Sequence, residues 1–290
     1  MTKALHLVGP QTRRLARGKP LVSIMTALPV EYESVKTVFG LAEQAPAPPL
    51  RVSFGPVPGN PARNVILVGP EQYPDLIRGN KFNPNTAAQY TRLFADCEPS
   101  ICLYVGVAGG VDDRVSVGDV VFGYRIIAYE VGAITPYSRA SAAGPSRTAY
   151  AMPDTGLLMP DGLTLDLNHR LGSFADSVVA RRDWYGAQRR PDGQIPGAHA
   201  GSIAAGEKVI KTRMCREYNV LANMDRRCLA VDMESYGFAQ AIISTHGAKP
   251  VDSLSIRGIS DMIDDKIGSN NQAVAAQHAS LFARALMEAY

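Results

Sequence analysis

Ser255-Ile256-Arg257-Gly258-Ile259-Ser260-Asp261-Met262 reads as the end of a buried strand: Val251, Leu254 and Ile256 lead into it, and Gly258 interrupts it before the Ser260-Asp261 pair. An Asp at the carboxyl end of a strand, with an Arg four residues earlier, stands where open α/β sheets place their ligands. A carboxyl group kept from water there can have its pKa raised enough to give a proton to a substrate. Asp261 also has a purely local reading, since Asp is favoured as the cap of a following turn. These eight residues leave both readings open.

Outward from that strand, short apolar runs alternate with helix patterns. Residues 21–28 (LVSIMTAL), between Pro20 and Pro29, read as a buried first strand, and Pro29 suits the first turn of a helix with Glu31 and Glu33 at its positive end. Residues 64–69 (NVILVG) and 101–107 (ICLYVGV) read as further interior strands, with a helix opening at Asn83-Pro84 between them and carrying Ala87, Tyr90, Leu93 and Phe94. The third run ends in Gly106-Val107-Ala108-Gly109-Gly110, whose glycines either mark a tight turn or let the backbone come close to a ligand. Residues 115–121 turn into a strand expected to run on to Val131. Residues 132–200, rich in Gly, Pro, Ser and Arg, read as a functional loop or lid with one helix at 167–179. Trp184 and Tyr185 there either close over a ligand or form a satellite hydrophobic cluster. Strand character returns at 202–210 and 229–233, and helices are expected at 236–244 and 272–290. This alternation points to an α/β fold with a largely internal sheet.

The composition excludes several classes. At 290 residues and 46% hydrophobic, the chain can bury a full core. Its formal net charge of +3 is uneven: residues 1–20 hold Lys3, Arg13, Arg14, Arg17 and Lys19 and no acid, while the rest has 25 basic and 27 acidic residues. The body therefore lacks the basic face that nucleic-acid binding needs. Residues 1–20 read as a disordered basic tail, because Gly9, Pro10 and Gly18 interrupt any amphipathic targeting helix. No apolar run reaches the length of a membrane span. Cys97, Cys102, Cys215 and Cys228 form no CxxC pair and read as reduced thiols of a cytoplasmic protein. Neither a dinucleotide fingerprint nor a P-loop is present, and no cofactor or metal is expected.

Three motifs occur in order: Gly106-Val-Ala-Gly-Gly110 with Gly118-Asp119-Val120-Val121, then Val231-Asp232-Met233-Glu234-Ser235, then Arg257-Gly-Ile-Ser-Asp261. Together they resemble the purine nucleoside phosphorylase and nucleosidase superfamily, most of all the methylthioadenosine/S-adenosylhomocysteine nucleosidases. The tail Arg257-Gly-Ile-Ser-Asp-Met-Ile-Asp-Asp-Lys266 also resembles the phosphorylase-type effector domains. The resemblance covers residues 21–290 as one domain. It implies a central mixed, partly barrel-like sheet flanked by helices, a homo-oligomer, and a small-molecule purine nucleoside or nucleotide as partner.

The resemblance also implies roles. Asp261 matches the acid that protonates the purine, with Ser260 and Arg257 holding it. Glu234 matches the carboxylate that binds the ribose hydroxyls, and Met233 packs on the sugar. Glu31 matches the base that binds the attacking water. Val209 and Ile210 match the segment that packs on the purine, and Val107, Ala108 and Gly109 line the anion or water site. The plain alternatives are a helix-start carboxylate for Glu31 and core packing for Val209 and Ile210. Four departures stand out: Val107 in place of a hydroxyl residue, Val209 in place of an aromatic, Asp232 in place of Glu, and Tyr104 in place of a phosphate-binding Arg. The expected activity is hydrolysis of a purine N-glycosidic bond. The alternatives are a phosphate-dependent purine nucleoside phosphorylase and a non-catalytic nucleotide-sensing module. Lys208, Lys211 and Arg213, which follow the purine-packing segment, and the long-loop arginines, Arg139 and Arg147 among them, either meet 5′-phosphates or are solvated surface.

Overall fold

Five buried residues in a row, Leu21–Met25, make β1, as expected of a strand covered on both faces. The structure is a computed structural model and describes residues 19–44, 50–70, 86–88, 91, 93, 97–135, 150–152, 156–160, 164–167, 170–245, 251–264 and 271–290. Helix α1 (Pro29–Phe39) follows β1 with Pro29 in its first turn. Then β2 (Ala42–Glu43), β3 (Leu50–Val57) and β4 (Asn60–Pro70) build an antiparallel edge, and β4 runs parallel to β1. On the other side of β1 lies β5 (Ile101–Gly110), also parallel.

Next come β6 (Val120–Gly123) and β7 (Arg125–Ala128), a small antiparallel sheet of β8 (Gly132–Thr135), β9 (Tyr150–Met152) and β10 (Gly156–Pro160), and β11 (Thr164–Asp166). The chain continues through α2 (Arg170–Arg181), β12 (Ala198–Ala200), β13 (Ser202–Ala205), α3 (Arg216–Met224), β14 (Cys228–Asp232), α4 (Ser235–Thr245), β15 (Asp252–Met262) and α5 (Gln272–Ala289). Among the described residues, twelve strands share one mixed sheet in the order β11-β7-β13-β14-β5-β1-β4-β3-β2, with β15, β6 and β12 branching from β5. The sheet is mixed as expected, and among the described residues it does not close into a barrel.

One junction in this sheet positions everything that follows. β14 and β5 are antiparallel and overlap only at Val231–Gly109 and Ala230–Gly110, so their carboxyl ends meet. β1 and β15 run parallel to β5, and β13 runs parallel to β14. Five strands thus end at one place, where open sheets hold ligands.

Core packing explains the outer elements. Ala275, Ala279, Phe282, Ala283 and Leu286 turn one face of α5 into the core. Gly258 lets α5 come this close: a Cβ on it would lie 2.0 Å from the Ala275 carbonyl oxygen. Trp184 is buried edge-on against Phe282 and so belongs to the main core.

Two expectations need correction. The strand expected to run to Val131 breaks at Tyr124: before it β6 pairs with β15, and after it β7 pairs with β13. The 132–200 region, expected as a loop with one helix at 167–179, has that helix as α2 but also carries the small sheet and the strands β11 and β12. Helical turns appear at 86–88 with Leu93 buried, while Asn83, Tyr90 and Phe94 lie outside the described residues. The basic tail is also outside them up to residue 18. Among the described residues no helix is long and apolar enough to cross a membrane.

Candidate active site

The converging strand ends enclose a cleft partly open to solvent, whose empty space of about 670 Å³ includes the open part. Nine of the eleven residues singled out from sequence line it: Glu31, Val107, Ala108, Gly109, Val209, Ile210, Met233, Glu234 and Ser260. Ala27, Leu28, Lys208, Val231, Asp232 and Gln272 complete the lining.

Glu31 lies one turn into α1 and is both cap and cleft residue. Its Oε2 accepts the amides of Ala27 at 2.7 Å and Leu28 at 2.8 Å, and its Oε1 accepts that of Val107 at 2.8 Å. One carboxylate therefore ties the end of β1 to the end of β5. Burial raises its pKa above the usual 4.5, and Arg257 and the three amides only partly offset this.

Arg257 is wholly buried beneath the cleft floor. Its Nε lies 2.7 Å from Asp232 Oδ2, its Nη2 donates to the Ser235 hydroxyl at 3.0 Å, and its guanidinium sits 4.1 Å over the Tyr104 ring. The sequence has it holding Asp261; the partners seen for its guanidinium are Asp232, Ser235 and the Tyr104 ring. Burial alone would lower its pKa, but its negative neighbours, Asp232 foremost, outweigh that and keep it charged. Gly106 makes room for this arrangement: a Cβ there would meet Arg257 Nη1 at 2.4 Å and Glu31 Oε1 at 2.6 Å.

Asp232 also accepts the amides of Glu234 at 3.2 Å and Ser235 at 3.0 Å, opening α4 and fixing the Asp232-Met233-Glu234 turn. Glu234 is buried, and its pKa is raised well above 4.5, first by desolvation and then by repulsion from Asp232.

Asp261 follows an irregularity in β15. Ile259 faces Ala108 and Asp261 faces Gly109, so Ser260 is an extra residue in the pairing. Ser260 turns to the cleft, donating to the Ala108 carbonyl at 3.3 Å and to Asp261 Oδ2 at 3.1 Å. Asp261 itself is half-buried and stands outside the lining.

On the far wall Ile210 is buried, whereas Val209 is 57% exposed. Glu130 pins this wall by accepting the Glu207 amide and pairing with the Lys208 amine. Of the long-loop arginines described, none lines the cleft: Arg170 lies by Tyr290, Arg181 pairs with Asp183, and Arg190 pairs with Asp119 and Asp192. Arg139 and Arg147 lie outside the described residues. Gln272 was missed from sequence because only the docking of α5 on β15 brings it here.

A family model described as the phosphorylase superfamily matches residues 83–290. The chain is 28% identical over 279 residues to the ATP nucleosidase Cap17 of Escherichia coli, covering 90% of this chain and 50% of that protein. It thus spans about half the length of that relative. It is 26% identical over 189 residues to the 5′-methylthioadenosine/S-adenosylhomocysteine nucleosidase of Mycobacterium tuberculosis, covering 64% of this chain and 68% of that one. Among solved structures, the 5′-methylthioadenosine/S-adenosylhomocysteine nucleosidase of Helicobacter pylori superposes with a TM-score of 0.66 at 15% identity, covering 93% of this chain and 98% of that one. Native futalosine hydrolase of the same organism gives 0.65 at 15% identity, covering 92% and 97%. These two likenesses speak for the fold.

Proposed function

The chain belongs to the phosphorylase superfamily, and from that membership we propose that it is a purine nucleosidase. It hydrolyses the N-glycosidic bond of a purine nucleoside or nucleotide to free base and ribose or ribose phosphate. The charge of the cleft carries the choice of water over phosphate. Among the described lining residues Glu31, Asp232 and Glu234 are acidic, and the one base, Lys208, is paired with Glu130. A phosphate dianion needs fixed cations or free N–H donors, and the Val107 amide already serves Glu31. A neutral water and a sugar gaining positive charge suit this negative wall.

In this reading Asp261, bonded by Ser260, enters the cleft when the purine is bound and protonates it as the C–N bond breaks. The bond's electrons leave with the base, and the sugar passes through an oxocarbenium-like state. Glu31, its pKa raised by burial, takes the proton of the water that attacks the anomeric carbon. Glu234 accepts the ribose hydroxyls, Met233 packs on the sugar, and Val209 and Ile210 flank the base. Arg257 and Asp232 hold the floor.

The finer proposal is a 5′-phosphorylated purine nucleotide as substrate, acted on by a cytoplasmic homo-oligomer. The 28% identical relative is named an ATP nucleosidase, and that likeness supports the nucleotide reading. The four cysteines are free, which agrees with a reducing compartment.

Incubation with methylthioadenosine, adenosine, AMP and ATP, with and without inorganic phosphate, followed by chromatography of the products, tests all of this. The expected result is free base at a phosphate-independent rate, with nucleotides preferred. Ribose 1-phosphate as the main product would make the protein a phosphorylase, and a preference for methylthioadenosine over both nucleotides would overturn the nucleotide reading. No cleavage of any substrate would leave a sensing module.

A further inference from the structure

Beside the cleft, one side chain joins three loops that each supply part of its wall. Arg213 lies three residues beyond Ile210. Its backbone N–H donates to Asp264 Oδ1 at 2.7 Å, and its Nε lies 3.7 Å from Asp264 Oδ2. Its Nη2 lies 2.7 Å from Asp113 Oδ1, and its guanidinium stands 5.7 Å from the centre of the Tyr218 ring. Asp264 belongs to the turn just after Ser260 and Asp261, while Asp113 belongs to the loop just after Val107, Ala108 and Gly109.

Two observations argue against an idle surface pair. Asp264 has a φ of 84°, a left-handed conformation that a non-glycine residue holds only under constraint from its surroundings. The residue before it, Ile263, is buried and donates its N–H to the Gly110 carbonyl at 3.1 Å, so the strained turn is locked to the end of β5. Partly exposed ion pairs add little to stability, and Asp113 is 84% exposed. What Arg213 supplies is geometry.

We propose that Arg213 is a positioning residue. By tying the 107–113, 206–214 and 260–264 loops together, it sets where Asp261 and the Val209–Ile210 wall stand relative to Val107–Gly109. The kinetic part of the test rests on the nucleosidase reading above; the exchange part does not.

The experiment compares wild type with Arg213→Ala, Arg213→Lys, Asp264→Gly and the Arg213→Ala/Asp264→Gly double variant. Glycine accepts the positive φ, so Asp264→Gly removes the carboxylate without straining the turn. In Arg213→Ala, hydrogen exchange is expected to rise about tenfold or more in peptides covering 206–214 and 259–264, and to stay unchanged in β1 and α5. On the preferred substrate kcat/KM is expected to fall about 10- to 100-fold, the scale of a misplacement of about 1 Å. Arg213→Lys is not expected to rescue it, since one amine cannot reproduce the fork. The double variant should be no worse than the poorer single one, the signature of one shared unit. Tm should fall by less than about 3 °C in each. Unchanged exchange at both peptides, kcat/KM within about twofold of wild type, or exchange rising uniformly along the chain would each overturn the proposal. If the wild type cleaves no substrate, the nucleosidase reading fails and the exchange pattern alone decides this one.

Discussion

Glu234 is a carboxylate held where the fold disfavours its charge. Burial and the neighbouring Asp232 raise its pKa above the usual 4.5. Below that usual value the group is protonated in both the folded and unfolded chains and costs nothing. As pH rises from there up to the higher folded-state pKa, the unfolded chain ionises this group while the folded chain still holds its proton, and stability is lost relative to the unfolded chain. Glu234→Gln carries no such charge, so its Tm should match wild type near pH 4 and exceed it at pH 8. Each tenfold difference in proton affinity between the folded and unfolded chains is worth about 1.4 kcal/mol, or a few degrees in Tm for a domain of this size. Activity should fall about 10²-fold or more, because a carboxylate facing the developing cation is gone. Calorimetry at the two pH values beside a turnover assay checks both; a lower Tm at pH 8 would contradict the expectation. Asp261→Asn separates the roles, since an amide cannot give the leaving base its proton. A loss of about 10²–10⁴-fold with the fold intact is expected, and near-normal turnover would remove Asp261 from the mechanism.

The docking of α5 on β15 belongs to the scale of elements. A methyl group on Gly258 would strike the Ala275 carbonyl oxygen at 2.0 Å, a backbone atom that cannot swing aside. Gly258→Ala is therefore expected to cost at least the 1–3 kcal/mol typical of overpacking and to move Gln272 at the cleft. A thermal melt with Tm within about 1 °C of wild type would refute it. The same pair of elements marks what the sequence discloses. Runs such as LVSIM and ICLYVGV show themselves as strands because apolar side chains on both faces leave no other use for them. The helix start at Pro29 and the final helix were legible for similarly local reasons. The extra residue at Ser260 was not, because it exists only as a mismatch with β5. Nor was the break at Tyr124, where two partners pull the strand apart. Arg257 was found as a site residue, but its bond to Asp232, twenty-five positions away, depends on α4 being folded back between them. Long-range pairings of this kind leave no trace in local pattern.

For the whole molecule the open question is what covers the cleft. An oxocarbenium-like transition state is best formed with bulk water excluded, yet this cleft stays partly open, and Val209 at its wall is 57% exposed. Five residues further along, Met214 is 94% exposed, next to the loop tie at Arg213. Large apolar side chains grouped at a site mouth are what a partner surface covers, and the superfamily resemblance implies an oligomer. The protein is therefore expected to be at least a dimer at micromolar concentration, with the neighbouring copy shielding this rim. Light scattering after gel filtration measures the mass, and specific activity followed on dilution to nanomolar concentration tests the link to function. Met214→Lys places a charge at the contact without touching the cleft residues, so it should lower mass and activity together. A monomer of full activity would mean that the cleft closes with its own chain, and the expectation of a second copy would then be wrong.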